Sequence, residues 1–133
     1  MTETFKKLNF KTHTPILVID APDSFASEMA AMKTETEIHA SPKKGTRYGF
    51  VLAFAKQRAQ LEDTCRTVVK LLDGDAVCWF AYPKGTSKKL KSDLNRDTMW
   101  QALSLFGIRP VRQIAIDEDW SALRFRRPEF VKS

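Results

Sequence analysis

Three stretches of the chain are apolar without interruption: Ile16, Leu17, Val18 and Ile19; then Phe50, Val51, Leu52, Ala53, Phe54 and Ala55; then Ala76, Val77, Cys78, Trp79, Phe80 and Ala81. A strand with one wet face alternates apolar and polar residues, whereas a strand covered on both faces does not, so each run predicts an interior strand of a parallel sheet. Between the second and third runs, Leu61, Cys65, Val68, Val69 and Leu72 recur at helical spacing, and Gly74 is placed to stop that helix. Strand, helix and strand of these lengths make a right-handed βαβ crossover.

After the first run, Asp23 or Ser24 is a candidate cap for a helix whose buried face is Phe25, Met29 and Met32, ending near Lys33. Residues 36–40 predict a short second strand, followed by a basic turn over residues 41–47. Asn95 is a candidate cap for a further amphipathic helix that carries Met99, Leu103 and Phe106 and is closed by Gly107. Residues 111–116 and 121–126 alternate, with Leu123 and Phe125 on one side of the last segment and Arg124 and Arg126 on the other. Only Asp117, Glu118, Asp119 and Trp120 separate the two, too few for a crossover, so this pair must be antiparallel. Trp120 is expected to anchor the turn against the body of the domain.

The expected fold is α/β: a three-layer, Rossmann-like sandwich with a mostly parallel sheet and an antiparallel C-terminal strand pair. It occupies residues 15–133 as one domain, behind a basic N-terminal arm at residues 1–14 read as lying over the surface. A length of 133 residues suits one core and needs no metal or disulfide staple.

Composition narrows the function classes. With 43% hydrophobic and 29% charged residues, the chain is neither collagen-like nor largely disordered. Twenty-two Lys and Arg against sixteen Asp and Glu leave a net charge of +6, which suits a phosphate-bearing or acidic partner or simply solubility. No apolar run approaches the roughly 20 residues of a membrane-spanning helix, and the first eight residues lack an apolar signal region, so a cytoplasmic location without membrane contact is expected. Cys65 and Cys78 form no Cys-x-x-Cys pair, and His13 and His39 are isolated, so neither a metal site nor a nucleophilic triad is expected.

Residues 50–127 follow the element order of the second half of a Rossmann-like methyltransferase fold. At residue level, Tyr82-Pro83-Lys84 and Asp119-Trp120-Ser121-Ala122-Leu123-Arg124 resemble a family of small bacterial proteins of unknown function with a methyltransferase-like core. The resemblance covers most of the chain beyond Tyr48 and implies a trimmed methyltransferase fold; it brings no established activity. Methyltransferases usually hold S-adenosylmethionine with a glycine-rich turn after the first strand and an acidic residue at the end of the second. Here the turn reads Asp20-Ala21-Pro22-Asp23 and the second strand ends in Ile38-His39-Ala40, so no cofactor is expected, S-adenosylmethionine included.

Ligands of open α/β sheets sit beyond the carboxyl ends of the strands, at the point where chain order reverses. That rule gathers Asp20, Pro22, Lys56, Tyr82, Pro83 and Lys84 as candidate ligand contacts, with Asp20 the one carboxylate placed for acid or base work. The competing reading is that Asp20 and Asp23 cap the first helix and the lysines are solvated. Lys84, Lys88, Lys89 and Lys91 are candidate contacts to an anionic partner, but Lys84-Gly85-Thr86 lacks the two-glycine frame of a P-loop. No aromatics alternate with these lysines to stack bases, so sequence-specific nucleic-acid recognition is not expected. Arg96, Arg109, Arg112, Arg124, Arg126 and Arg127 are expected to pair with Asp117, Glu118 and Asp119. Two functions remain: a non-enzymatic or degenerate methyltransferase-like binding module with a basic surface, or a small enzyme binding a nucleotide or phosphate ligand in the strand-end crevice. A dimer formed through residues 121–126 is a third, structural option.

Overall fold

A computed structural model of the protein describes residues 1–131. The three apolar runs become β1 (Ile16–Ile19), β3 (Tyr48–Phe54) and β4 (Leu72–Pro83), joined by β2 (Ile38–His39), β5 (Arg109–Ala115) and β6 (Trp120–Arg126) in one six-stranded sheet of order β2-β1-β3-β4-β6-β5. The first four strands are mutually parallel, and β6 runs antiparallel to both β4 and β5. This is the mixed α/β sheet expected, mostly parallel with an antiparallel C-terminal pair.

Right-handed crossovers dictate where the helices go. From β1 the chain steps one way to β2 through α2 (Ala26–Met32), and from β3 it steps the other way to β4 through α3 (Arg58–Val68), so the two helices lie on opposite faces. Leu61, Cys65 and Val68 of α3 bury themselves with Met99, Ala102 and Leu103 of α4 (Arg96–Ser104) against Val51, Cys78, Phe80 and Leu123 of the sheet. On the other face, Phe25 and Met32 join Phe50, Leu52, Trp79 and Ala122. Asn95 caps α4 as expected: its side chain accepts from the Thr98 amide at 2.9 Å while the Thr98 hydroxyl accepts from the Asn95 amide at 2.7 Å.

The structure corrects the reading of residues 1–14. They form α1 (Glu3–Lys7) and a following segment that together cover the second face of the sheet, with Phe5, Leu8 and Phe10 buried. The Phe5 ring packs against Phe10, Phe25 and Phe50 at centroid separations of 6.1, 5.8 and 6.0 Å, and the Trp79 indole donates to the Leu8 carbonyl at 2.8 Å. The basic residues of this segment point outward, which is why composition made it look like a surface arm.

Four further expectations change. Gly74 does not stop α3; that helix runs into a 3-10 turn at Val69–Leu71, and Gly74 lies inside β4 at φ +58°, where residues 73–75 bulge from the ladder. Neither Asp23 nor Ser24 caps the helix after β1: the chain enters through a 3-10 turn (Asp23–Phe25) behind Pro22, with no side-chain cap. Strand β6 is interior, held by β4 and β5 on its two sides, so residues 121–126 present no free edge for a dimer; β5 is the strand at that edge. Finally, Asp117 caps its own turn by accepting from the amides of Asp119 and Trp120 at 2.8 and 2.9 Å, and Asp119 accepts from the Ser87 hydroxyl at 2.7 Å. Arg126 pairs with Asp75 instead, and Arg127 donates to the carbonyls of Val69 and Leu72 at 3.2 Å each.

The crossover from β2 to β3 carries no helix and is fixed by a polar chain. The buried His39 ring meets the Tyr48 hydroxyl at 2.6 Å through Nδ1 and the Glu37 carboxylate at 2.5 Å through Nε2, and the Lys43 amide donates to the same hydroxyl at 3.2 Å. The His39 contact holds the Glu37 carboxyl below its ordinary pKa.

If residues 1–14 are part of the core, Phe5→Ala lowers the unfolding free energy by about 3–4 kcal/mol, the cost of emptying a packed aromatic site. The exposed Lys6→Ala change stays within about 0.5 kcal/mol. Urea unfolding followed by tryptophan fluorescence separates the two, and equal small effects would show a surface arm after all.

Candidate functional site

Reversal of the crossovers between β1 and β3 leaves a crevice at their carboxyl ends, because the chain leaves these neighbouring strands toward opposite faces. It measures about 380 Å³ and is lined by Asp20, Ala21, Pro22, Phe54, Ala55, Lys56, Gln60 and Trp120. Of the six candidate ligand contacts, the fold brings together Asp20, Pro22 and Lys56. Tyr82 lies elsewhere, buried among the residues packed under α3 and α4, where its hydroxyl accepts from the Gln113 amide group at 3.0 Å and burial raises its pKa. Pro83 and Lys84 line a second cleft of about 320 Å³ with Gly85, Ser87 and Lys91.

Gln60 and Trp120 complete the crevice and were not among the candidates. Gln60 sits in the first turn of α3 and reaches both flanking loops: its side-chain carbonyl accepts from the Lys56 amide at 2.9 Å, and its amide group donates to the Asp20 carboxylate at 3.2 Å. A glutamine three residues past the helix-capping position is a sequence signal for such a backward reach. Trp120 enters because β6 is antiparallel, which puts its first residue beside Pro83 at the carboxyl end of β4. The indole is buried edge-on against Phe54 at 5.1 Å, the anchoring expected of it.

Asp20 adopts φ +55°, the left-handed conformation in which a side chain is crowded and glycine is favoured. Its carboxylate therefore serves the turn, bonded to Gln60, and caps no helix. The lysine-bearing loop beyond β4 is held in shape by side chains. Ser87 donates to Asp119 and accepts from the Lys89 and Leu90 amides at 3.3 and 3.2 Å, and the Ser92 hydroxyl donates to the Lys56 carbonyl. Asp93 accepts from the Arg58 amide at the start of α3 at 2.8 Å. Lys88, Lys89 and Lys91 are exposed on this scaffold. Among the described residues, no group of three or more His, Cys, Asp or Glu could hold a metal ion, and no helix is long and apolar enough to cross a membrane.

No protein-family model matches the chain, and no curated protein matches its sequence. Solved structures do match. The N-methyltransferase NodS from Bradyrhizobium japonicum WM9 aligns over 84% of this chain and 72% of its own at 16% identity, with a TM-score of 0.53. The ribosomal protein L11 methylase from Lactobacillus delbrueckii subsp. bulgaricus aligns over 93% and 74% at 13% identity and TM-score 0.57. Magnesium protoporphyrin IX methyltransferase from Synechocystis PCC 6803, solved with bound SAH, aligns over 84% and 63% at 11% identity and TM-score 0.55. The fold is methyltransferase-like and Rossmann-like. At these identities the likeness is one of fold alone.

Cys65 and Cys78 are free and buried. Burial pushes the Cys65 thiol up to about 12 and raises Cys78 as well, so neither supplies a thiolate near neutral pH. Native protein at pH 8 should therefore leave a thiol-reactive disulfide reagent unconsumed over minutes, and both thiols should react once guanidinium unfolds it. Rapid labelling of the folded protein would show that one of them is accessible and activated.

Proposed function

We propose that this chain is a binding module on a methyltransferase-like fold, which meets an acidic protein partner through the lysine-bearing loop beyond β4 and takes no methyl donor. The observation that carries the reading is the turn after β1. Binding an adenosyl group there calls for free backbone amides, close backbone approach and a carboxylate for the ribose diol. Pro22 offers no N–H, Asp20 stands at the left-handed position with its carboxylate bonded to Gln60, and the residues after His39 are Ala40 and Ser41. The exposed Lys56 ammonium borders the same crevice, an unfavourable neighbour for a cationic sulfonium. These residues do not fit the donor that the neighbouring enzymes use.

Support for the binding surface comes from the fixed loop. Lys84, Lys88, Lys89 and Lys91 project from a backbone held by Ser87, Asp119 and Ser92, so their charges are presented without the ordering cost that a free loop would incur. The enzyme reading, with Asp20, Lys56 and Lys84 acting on one ligand, is less well supported, because Lys84 and Lys56 line separate clefts.

A fluorescent polyglutamate peptide is expected to bind the full chain at low salt and to dissociate as salt rises toward 1 M, where the screening length falls to about 3 Å. Combined Lys84→Ala, Lys88→Ala and Lys89→Ala changes are expected to abolish that binding without altering the melting temperature; binding that ignores salt or survives the triple change overturns the proposal. S-adenosylmethionine and S-adenosylhomocysteine should leave the melting curve unmoved, whereas a ligand at about 100 times its dissociation constant would add about 2.7 kcal/mol. Stabilisation of that size would restore the donor site.

A further inference from the structure

Arg124 is a guanidinium without a partner. On β6 it shares the face of Trp120 and Ala122, the side of the sheet covered by the N-terminal segment. In register it stands between Trp79 of β4 and Arg112 of β5, so two arginines lie directly opposite each other on neighbouring strands. Like charges in that position repel. Arg126, two residues along the same face, is occupied: it donates through Nε to Asp75 at 3.0 Å and through Nη2 to the other oxygen of the same carboxylate. Among the described residues, the side chains of Arg124 and Arg112 make neither a hydrogen bond nor an ion pair, and the Nε of Arg124 is buried with nothing to accept from it. His13 stands beside this group, its ring 5.8 Å from Phe10 and 5.7 Å from Phe50, and both burial and the Arg124 charge lower its pKa.

A buried donor left unmade is costly, and native structures rarely keep one without a reason. Here the cost is compounded by the facing charge of Arg112. An oxyanion between the two guanidinium groups removes both costs at once: it accepts from the buried Nε and converts a repulsion into a shared attraction. Planar guanidinium forks match the tetrahedral oxygens of a phosphate, which offers enough acceptors to serve two of them together. We propose that Arg124 and Arg112, with His13 and Arg126 at the margin, form a binding site for a phosphate monoester on the β5–β6 face. The site is separate from the lysine-bearing loop, and its test is independent of the reading given above.

The test follows the arginine Nε–H resonances of the isotopically labelled full chain during titration with inorganic phosphate, at ionic strength held constant with potassium chloride. Saturable movement of the Arg124 resonance is expected. Arg112→Ala, at an exposed position, should weaken binding at least about tenfold, and Arg124→Met should abolish it. Titrations with glycerol phosphate and with a nucleoside 5′-monophosphate form separate arms; tighter binding in either supports the site and identifies the source of the phosphate. No saturable shift at millimolar phosphate, or the same shifts in Arg124→Met, overturns the proposal. A second measurement guards against misfolding. In phosphate-free buffer Arg124→Met should melt no lower than the parent protein, since a half-buried unpaired charge with a buried, unmade donor has been replaced by an apolar chain of similar length. A clear fall would show a structural role instead.

Discussion

A parallel sheet has to be covered on both faces, and this chain has little helix with which to do it. The α3–α4 side is served by helices of eleven and nine residues, but the opposite side has only five-residue α1 and seven-residue α2. What closes that second face is an aromatic cluster. Phe5 and Phe10 from the N-terminal segment meet Phe25 after β1 and Phe50 of β3, each close enough for ring-to-ring contact, and the adjoining Leu8 carbonyl satisfies the buried indole of Trp79. Large rings bury more apolar area per residue than any aliphatic side chain, so a few of them can replace a helix. Without this cover, Leu52, Trp79 and Ala122 would face water, and the strands that position the crevice would lose one of their two supports.

How much of this was legible depends on whether the signal is local. The interior strands could be read because two-sided burial writes an uninterrupted apolar run, and α4 because Asn95 and Thr98 bracket its start. The N-terminal segment could not. Five helical residues leave no periodicity, and Phe5, Leu8 and Phe10 lie among lysines whose charge dominates a count of composition. Gly74 misled for a related reason: a glycine marks a break in the local backbone, but whether its positive φ ends a helix or shapes a bulge depends on the partner strand, here Tyr48 and Phe50 of β3.

The crevice divides in the same way. Asp20, Pro22 and Lys56 meet because the strand-end rule follows from handedness, which sequence order carries. Tyr82 is excluded by the pleat and by position: its side chain belongs to the α3–α4 face, and β4 lies one strand beyond the reversal. Gln60 and Trp120 arrive from a helix start and from an antiparallel strand, relations visible only once the sheet is assembled.

Charge placement is the last consequence of topology. Inserting β6 antiparallel between β4 and β5 brings the Asp117–Asp119 turn to the crevice end of the sheet, where Asp117 and Asp119 are consumed by backbone amides and Ser87 rather than by arginines. The arginines of the same two strands are thereby left to find other partners. Arg126 and Arg127 find them near the end of α3 and the start of β4, through Asp75 and the carbonyls of Val69 and Leu72. The side chains of Arg112 and Arg124, midway along their strands, bond to neither set. The net positive charge of the chain is therefore distributed rather than pooled: solvated lysines border the strand ends, and the half-buried Arg124 lies beside the exposed Arg112 on the β5–β6 face. Solvated lysines attract anions over a distance set by salt, whereas a buried guanidinium demands a specific acceptor, so the two regions are suited to different kinds of ligand.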